Sequence, residues 1–151
     1  MTELLWRLVE GRPSPKKFAE RLKKLSDGDT KLVALQYMNV RYALMQAIWE
    51  HKKTAGASED VLEDAVDWLI LGGPKALSAT LLGAPPLPEM ETWGDLEEES
   101  LFYPLCDELE ARFKPAHNIF DVTGHEYPYP WTTASEFEHV DYLTHRAPLK
   151  N

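Results

Sequence analysis

Glu136 and His139, in the run SEFEHVD, stand three residues apart. On a helix that spacing puts both side chains on one face, where they could share a metal ion. Carboxylate-bridged di-iron bundles use two such pairs plus two further glutamates. This sequence offers one such pair, with His125 and Glu126 as further ligands that could approach it. His125 or His139 could equally act as a general base in a hydrolase. The plainer reading is a capped surface helix, because TASE, Thr133 to Glu136, is a capping box at the head of a short segment. A metal-dependent or accessory enzyme of a biosynthetic cluster, using His125, Glu136 and His139, is therefore the alternative reading. The sequence calls for no cofactor.

A second set of groups lies in TAGASEDVLEDAVDWLILGGPKAL, residues 54–77. At about 100° per residue, Asp60, Glu63, Asp64 and Asp67 fall on one side of a helix, opposite Leu62, Ala65 and Leu69. A solvated helix face accounts for them. An anionic surface aimed at lysines and arginines of a partner does so too, and would raise the association rate and select basic partners. That surface would consist of Asp60, Asp64 and Asp67, extended by Glu97, Glu98 and Glu99.

Other catalytic signatures are missing from the sequence. The glycine pair 72–73 lacks the further glycines and lysine of a phosphate loop, and no GxSxG elbow occurs. Cys106 is the only cysteine, so no internal disulfide and no cysteine metal cluster can form. In YPLCDEL it reads as a structural residue beside the core.

These groups must be held by helices. Thr2 can cap a short helix carrying Leu4, Leu5 and Leu8. Ser14 and Pro15 form a second start signal, a capping hydroxyl followed by proline at the first helical position. Phe18, Leu22 and Leu25 then share a face, until SDGD breaks the helix. The spacing predicts a long helix over 30–52, apolar on more than one face, as expected of a central helix packed on several sides. Ser58 caps the acidic helix, with Glu59 and Asp60 in its first turn, and Gly72 and Gly73 suit its left-handed stop. Trp68 flanks its apolar stripe and is expected to be substantially buried. Pro74 opens a short helix through Leu77, Leu81 and Leu82. The proline-rich stretch 81–95 reads as a crossing loop. A further helix starts at Asp95, with Leu101, Phe102, Leu105, Leu109 and Phe113 inward and a kink or break at Pro104. HNIFDVTG, residues 117–124, is the one plausible strand. In the tail, YPYPW favours an extended backbone that folds across the bundle, and a recognition segment for another protein is its alternative.

The expected fold is mainly α, a single domain over 1–151 of five to seven helices, with 125–151 wrapped across them. The formal net charge of −9 is uneven. Residues 1–53 hold eleven Lys/Arg against six Asp/Glu, and residues 54–151 hold five against nineteen. So acidic a lobe repels nucleic acid and anionic lipid and attracts basic proteins. No apolar run is long enough to span a bilayer and the N-terminus lacks the pattern of a signal peptide, so a cytoplasmic location is expected.

Gly56, Ser58, Glu59, Asp60, Trp68, Leu69, Ile70 and Gly73, with Tyr42 and Trp49 upstream, carry a resemblance. The stretch 25–73 resembles the bacterial domain-of-unknown-function family 4240. Leu62 and Ala65 replace aromatics of that pattern, Val66 replaces a usual arginine, and Pro74 stands where another arginine is common. The resemblance implies a small, mainly helical bacterial protein and brings no activity with it. Taken together, the sequence leans away from an enzyme. The first reading is a non-enzymatic binding module, immunity-like or inhibitor-like, for a basic protein partner.

Overall fold

A computed structural model of the chain describes residues 3–49, 51–89 and 100–113. Among them are six α-helices and no strand. They are α1 (Glu3–Leu8), α2 (Pro15–Lys23), α3 (Asp27–Ile48), α4 (Glu59–Leu71), α5 (Gly73–Leu81) and α6 (Phe102–Arg112), with one 3-10 turn, Lys52–Thr54. The mainly α architecture therefore holds. No described helix is long and apolar enough to cross a membrane.

The axis of the bundle is α3, which packs against α1, α4, α5 and α6, while α2 lies against α1 and α6. Its side chains are buried in all directions along most of its length, including Val33, Tyr37, Met38, Leu44 and Ile48. A helix surrounded in this way needs no single apolar stripe. Leu5, Phe18, Leu22, Leu69, Ile70, Leu77, Leu105 and Leu109 close the core around it.

Local chemistry explains the helix starts. The hydroxyls of Ser14, Ser26 and Ser58 accept the amide N–H groups of Lys17, Asp29 and Val61, at 3.2, 3.1 and 3.4 Å. Each satisfies one of the orphan donors at a helix N-terminus. Ser26 shifts the start of α3 back to Asp27. SDGD both ends one helix and caps the next, where a simple break was expected. At the other end α3 stops at Ile48 short of the expected 52, because His51 Nδ1 accepts the Lys53 N–H at 3.1 Å and folds the chain into the 3-10 turn. The first helix is capped from outside: Gln36 Oε1 of α3 accepts the Leu5 N–H at 3.0 Å. Thr2 lies outside the described residues.

The two glycines between α4 and α5 have different jobs. Gly73 turns the chain with φ +74°, a conformation favourable to glycine. Gly72 gives room, since a Cβ there would stand 2.6 Å from the Cβ of Ala76. Leu82 does not lie within the helix expected to run through it. The helix ends at Leu81, and Leu82, in the cap position, is 86% exposed. Pro104 does not break α6 either. The helix begins at Phe102, so the proline falls in the first turn, where an N–H would have had no helical partner. Asp95, the expected start, lies outside the described residues, as do the expected strand at 117–124 and the tail at 125–151.

Three arginines tie helix C-termini to their neighbours. Arg21 Nη1 donates to the carbonyls of Leu8 and Glu10 at 2.8 and 2.9 Å, closing the end of α1. Arg112 donates to Leu25, Leu22 and Lys23 at 2.8, 3.1 and 3.3 Å, closing the end of α2 from α6. It also pairs with Asp27 at 3.2 Å and with Glu108 at 2.8 Å. Arg12 donates to the Trp68 carbonyl in the last turn of α4 at 3.4 Å. These carbonyls lie at or just past helix C-termini, at the negative end of the dipole, so guanidinium groups suit them.

Candidate functional site

Tyr37 and Arg41 are one turn apart on α3, and Glu63 and Asp67 are one turn apart on α4. The spacing places each pair on one face, and the packing of the two helices brings the faces together. The Tyr37 hydroxyl donates to Asp67 Oδ1 at 2.6 Å. Arg41 Nη1 donates to the Tyr37 oxygen at 2.8 Å, and Arg41 Nη2 stands 3.4 Å from Glu63 Oε1. The second oxygen of Asp67 accepts the Leu101 N–H at 3.0 Å and the Ser100 hydroxyl at 3.3 Å. The Arg41 guanidinium lies over the Phe102 ring, 4.7 Å from its centroid, in cation–π contact.

Asp67 thereby does for α6 what the helix does not do for itself. Leu101 occupies the N-cap position and has no capping oxygen. A carboxylate from another helix takes that place, at the positive end of the α6 dipole. Tyr37, Arg41 and Asp67 are 0%, 4% and 2% exposed, so their polar groups answer one another and not water. Burial pushes the Tyr37 phenol well above its ordinary value. The Arg41 charge opposes that shift, and Asp67 adds to it both by its charge and by its hydrogen bond. Tyr37 is thus held as a neutral donor. Glu63 lies at the rim, its side chain 24% exposed. Burial lifts its carboxyl above the ordinary value, Arg41 works against this, and Glu59, Asp60 and Asp67 push it further up.

The expected acidic surface is therefore only partly as the sequence suggested. Asp60 is exposed and Asp64 half-buried. Asp67 is not on that surface. Asp67 is 2% exposed among the buried Val66, Leu69, Ile70 and Leu71, and its carboxylate is engaged by three donors. Glu59, exposed in the first turn, faces solvent beside Asp60. Glu97, Glu98 and Glu99 lie outside the described residues, as do His125, Glu136 and His139. Among the described residues no group of three or more His, Cys, Asp and Glu side chains is placed to hold a metal ion. Cys106 is half-buried and packs against the core.

Trp68 meets the core without being fully enclosed. It is half-buried against the core, and its ring is covered by the Arg12 guanidinium at 4.1 Å. Arg12 reaches it from a turn in which Gly11 and Arg12 have φ +77° and +51°. A positive φ is strained for arginine, and here it aims the side chain at the last turn of α4. A smaller polar joint links the 3-10 turn to the loop after α5. His51 Nε2 donates to the Gly83 carbonyl at 3.0 Å, the tautomer that leaves Nδ1 as acceptor, and Lys53 Nζ donates to the Pro85 carbonyl at 3.1 Å.

The sequence reading passed over Tyr37 and Arg41. The available signal was a tyrosine and an arginine at i, i+4 in an otherwise apolar helix, since a charge there needs a partner. No family model matches the chain, and neither a curated protein nor a solved structure matches it.

Proposed function

We propose that the chain is a binding module and not a catalyst, and that the first half of α4 is the surface it offers to a basic protein partner, as a bacterial immunity or inhibitor protein would. The observation that carries this reading is charge crowding. Glu59, Asp60 and Glu63 occupy adjacent turns, and the charges of the first two add to the lift in the Glu63 carboxyl. A lysine or arginine from a partner would relieve that repulsion, so the surface gains by meeting cations. Asp64 widens it and Glu59 replaces Asp67 in it. Glu97, Glu98 and Glu99 keep their place in the proposal on charge alone. The −9 net charge adds long-range attraction for basic proteins and repulsion for nucleic acid and anionic lipid. Membership of family 4240 would make the protein bacterial and adds no activity to this reading. The location proposed with it is the cytoplasm.

The test is capture from a lysate of the source cells on immobilised full-length protein, beside a Glu59→Gln, Asp60→Asn, Asp64→Asn variant. A basic protein retained by the parent, lost by the variant and released by salt is the expected result. Its association with the variant should be several-fold slower. Capture that the triple variant leaves unchanged overturns the reading, and so does the absence of any retained basic protein.

A further inference from the structure

The chain carries a second surface, unrelated to α4, whose two walls have opposite charge. Helices α2 and α6 lie side by side and run parallel. Pro15 and Pro104 share one end of the groove between them, and Arg112 at the end of α6 reaches the last carbonyls of α2 at the other. Lys16 and Lys23 line the α2 wall, and Asp107 and Glu108 line the α6 wall. Ala19 and Ala111 keep the floor shallow. Lys16, Lys23 and Asp107 are exposed, whereas Glu108 is held by Arg112. Tyr103, adjacent to Pro104 in the chain and one turn before Asp107, is 69% exposed, the largest ring so exposed among the described residues.

We propose that this groove is the contact surface for a second copy of the chain. The argument is one of symmetry. In a two-fold dimer the same patch meets itself, so a residue i that touches j is matched by j touching i. A patch of one sign would repel itself under that operation. A patch with a basic wall beside a parallel acidic wall does not, provided the axis runs along the groove. Rotation about that axis lays α2 of one copy over α6 of the other at the same height. Lys16, near the proline end, then comes within a turn of Asp107 of the other copy, within reach of its long side chain, and the converse pair forms automatically. A two-fold axis across the groove would set α2 on α2, lysine on lysine, and is disfavoured by the same charges. The small floor residues allow close approach, and Tyr103 supplies an aromatic anchor of the kind that dominates interface energetics.

Two copies of a chain with net charge −9 also repel at long range. Simple salt dependence is therefore a poor test and charge exchange is a good one. Sedimentation equilibrium of the full chain, from micromolar upward, would be run on the parent, on Lys16→Glu with Lys23→Glu, and on Asp107→Lys. Circular dichroism checks that each is folded. The parent should dimerise. Each variant alone should be weakened about tenfold or more, because every substitution counts twice in a two-fold interface. An equimolar mixture of the two variants should regain association, since each wall then meets one of opposite sign. A parent that stays monomeric to about millimolar, where even weak interfaces assemble, overturns the proposal. A dimer indifferent to both variants overturns it too. Hydrogen-exchange protection of 15–23 that is unchanged on dilution to monomer would put the dimer contact elsewhere, and that also overturns it.

Discussion

The phenol of Tyr37 and the carboxylate of Asp67 meet at 2.6 Å across the α3–α4 interface, and neither is reached by solvent. Asp67 has two further donors, so the pair joins three elements: the central helix, the acidic helix and the head of α6. Removing either partner strands the other in a dry site. Tyr37→Phe should cost roughly 1–3 kcal/mol, the penalty for a buried acceptor left short of a donor. Asp67→Ala should cost roughly 3–5 kcal/mol, because the Tyr37 hydroxyl, the Ser100 hydroxyl and the Leu101 N–H then all lose their acceptor in a dry site. The double variant should cost less than the two added, a coupling read from a urea-denaturation cycle. Strict additivity would show that the bond contributes nothing.

Glu63 gives a pH dependence with a defined sign. Its folded-state value is raised above the ordinary 4.5, chiefly by burial. The folded protein therefore holds that proton more tightly than the unfolded chain does. The resulting stabilisation is complete below the unfolded value and fades as pH rises through the folded one. Relative to Glu63→Gln, the parent should be at its most stable near pH 4 and lose ground by about pH 7. Urea midpoints for the two proteins at both pH values check this, and a constant difference would contradict it.

The strained turn at Arg12 should reveal itself by comparing two substitutions. Arg12→Ala loses both the cover over Trp68 and the bond to its carbonyl while keeping the strained φ. Arg12→Gly loses the same contacts but relieves the backbone. The glycine variant should thus be the more stable by about 1 kcal/mol. Trp68→Ala should cost on the order of 2 kcal/mol, below the 3–5 kcal/mol typical of a fully buried aromatic, since the ring is only half-buried. Tryptophan emission should shift to longer wavelength in both Arg12 variants.

At Arg112 the geometry separates guanidinium from mere charge. Three carbonyls and two carboxylates are reached by three different nitrogens of one side chain, which is only 14% exposed. Lysine has one nitrogen and cannot span them. Arg112→Lys should lose most of what Arg112→Ala loses, roughly 2–3 kcal/mol by thermal melting. Full rescue by lysine would reduce the site to a single ion pair.

The sequence carried the local part of this fold well. Ser14, Pro15, Ser58 and the 72–73 glycines act over a turn or less, and they mark helix ends where the structure has them. The central role of α3 was legible too, because residues apolar on several faces must be surrounded. What failed needed knowledge of neighbours. Asp67 has the same wheel position as its acidic companions, and only the head of α6, 34 residues on, makes it a buried cap. Arg12 and Arg112 bond to backbone, which carries no sequence signature, at separations of 56 and as much as 90 residues. Pro104 was misread for a simpler reason: a proline breaks a helix or suits its start according to where the helix begins. The Tyr37–Arg41 pair lay within reach, through the cost of placing an arginine in an apolar helix.

The arginine ties have a consequence for how such a chain can change over time. Each grips main-chain oxygen, which every residue type possesses. At the gripped positions, Leu8, Glu10, Leu22, Lys23, Leu25 and Trp68, the side chain is free to drift as far as packing permits without loosening the joint. The mutational burden falls instead on Arg12, Arg21 and Arg112. Descendants of this fold could diverge widely in helix-end sequence and keep the same angles between helices. Their kinship would then be easier to detect from three well-spaced arginines than from the residues those arginines hold.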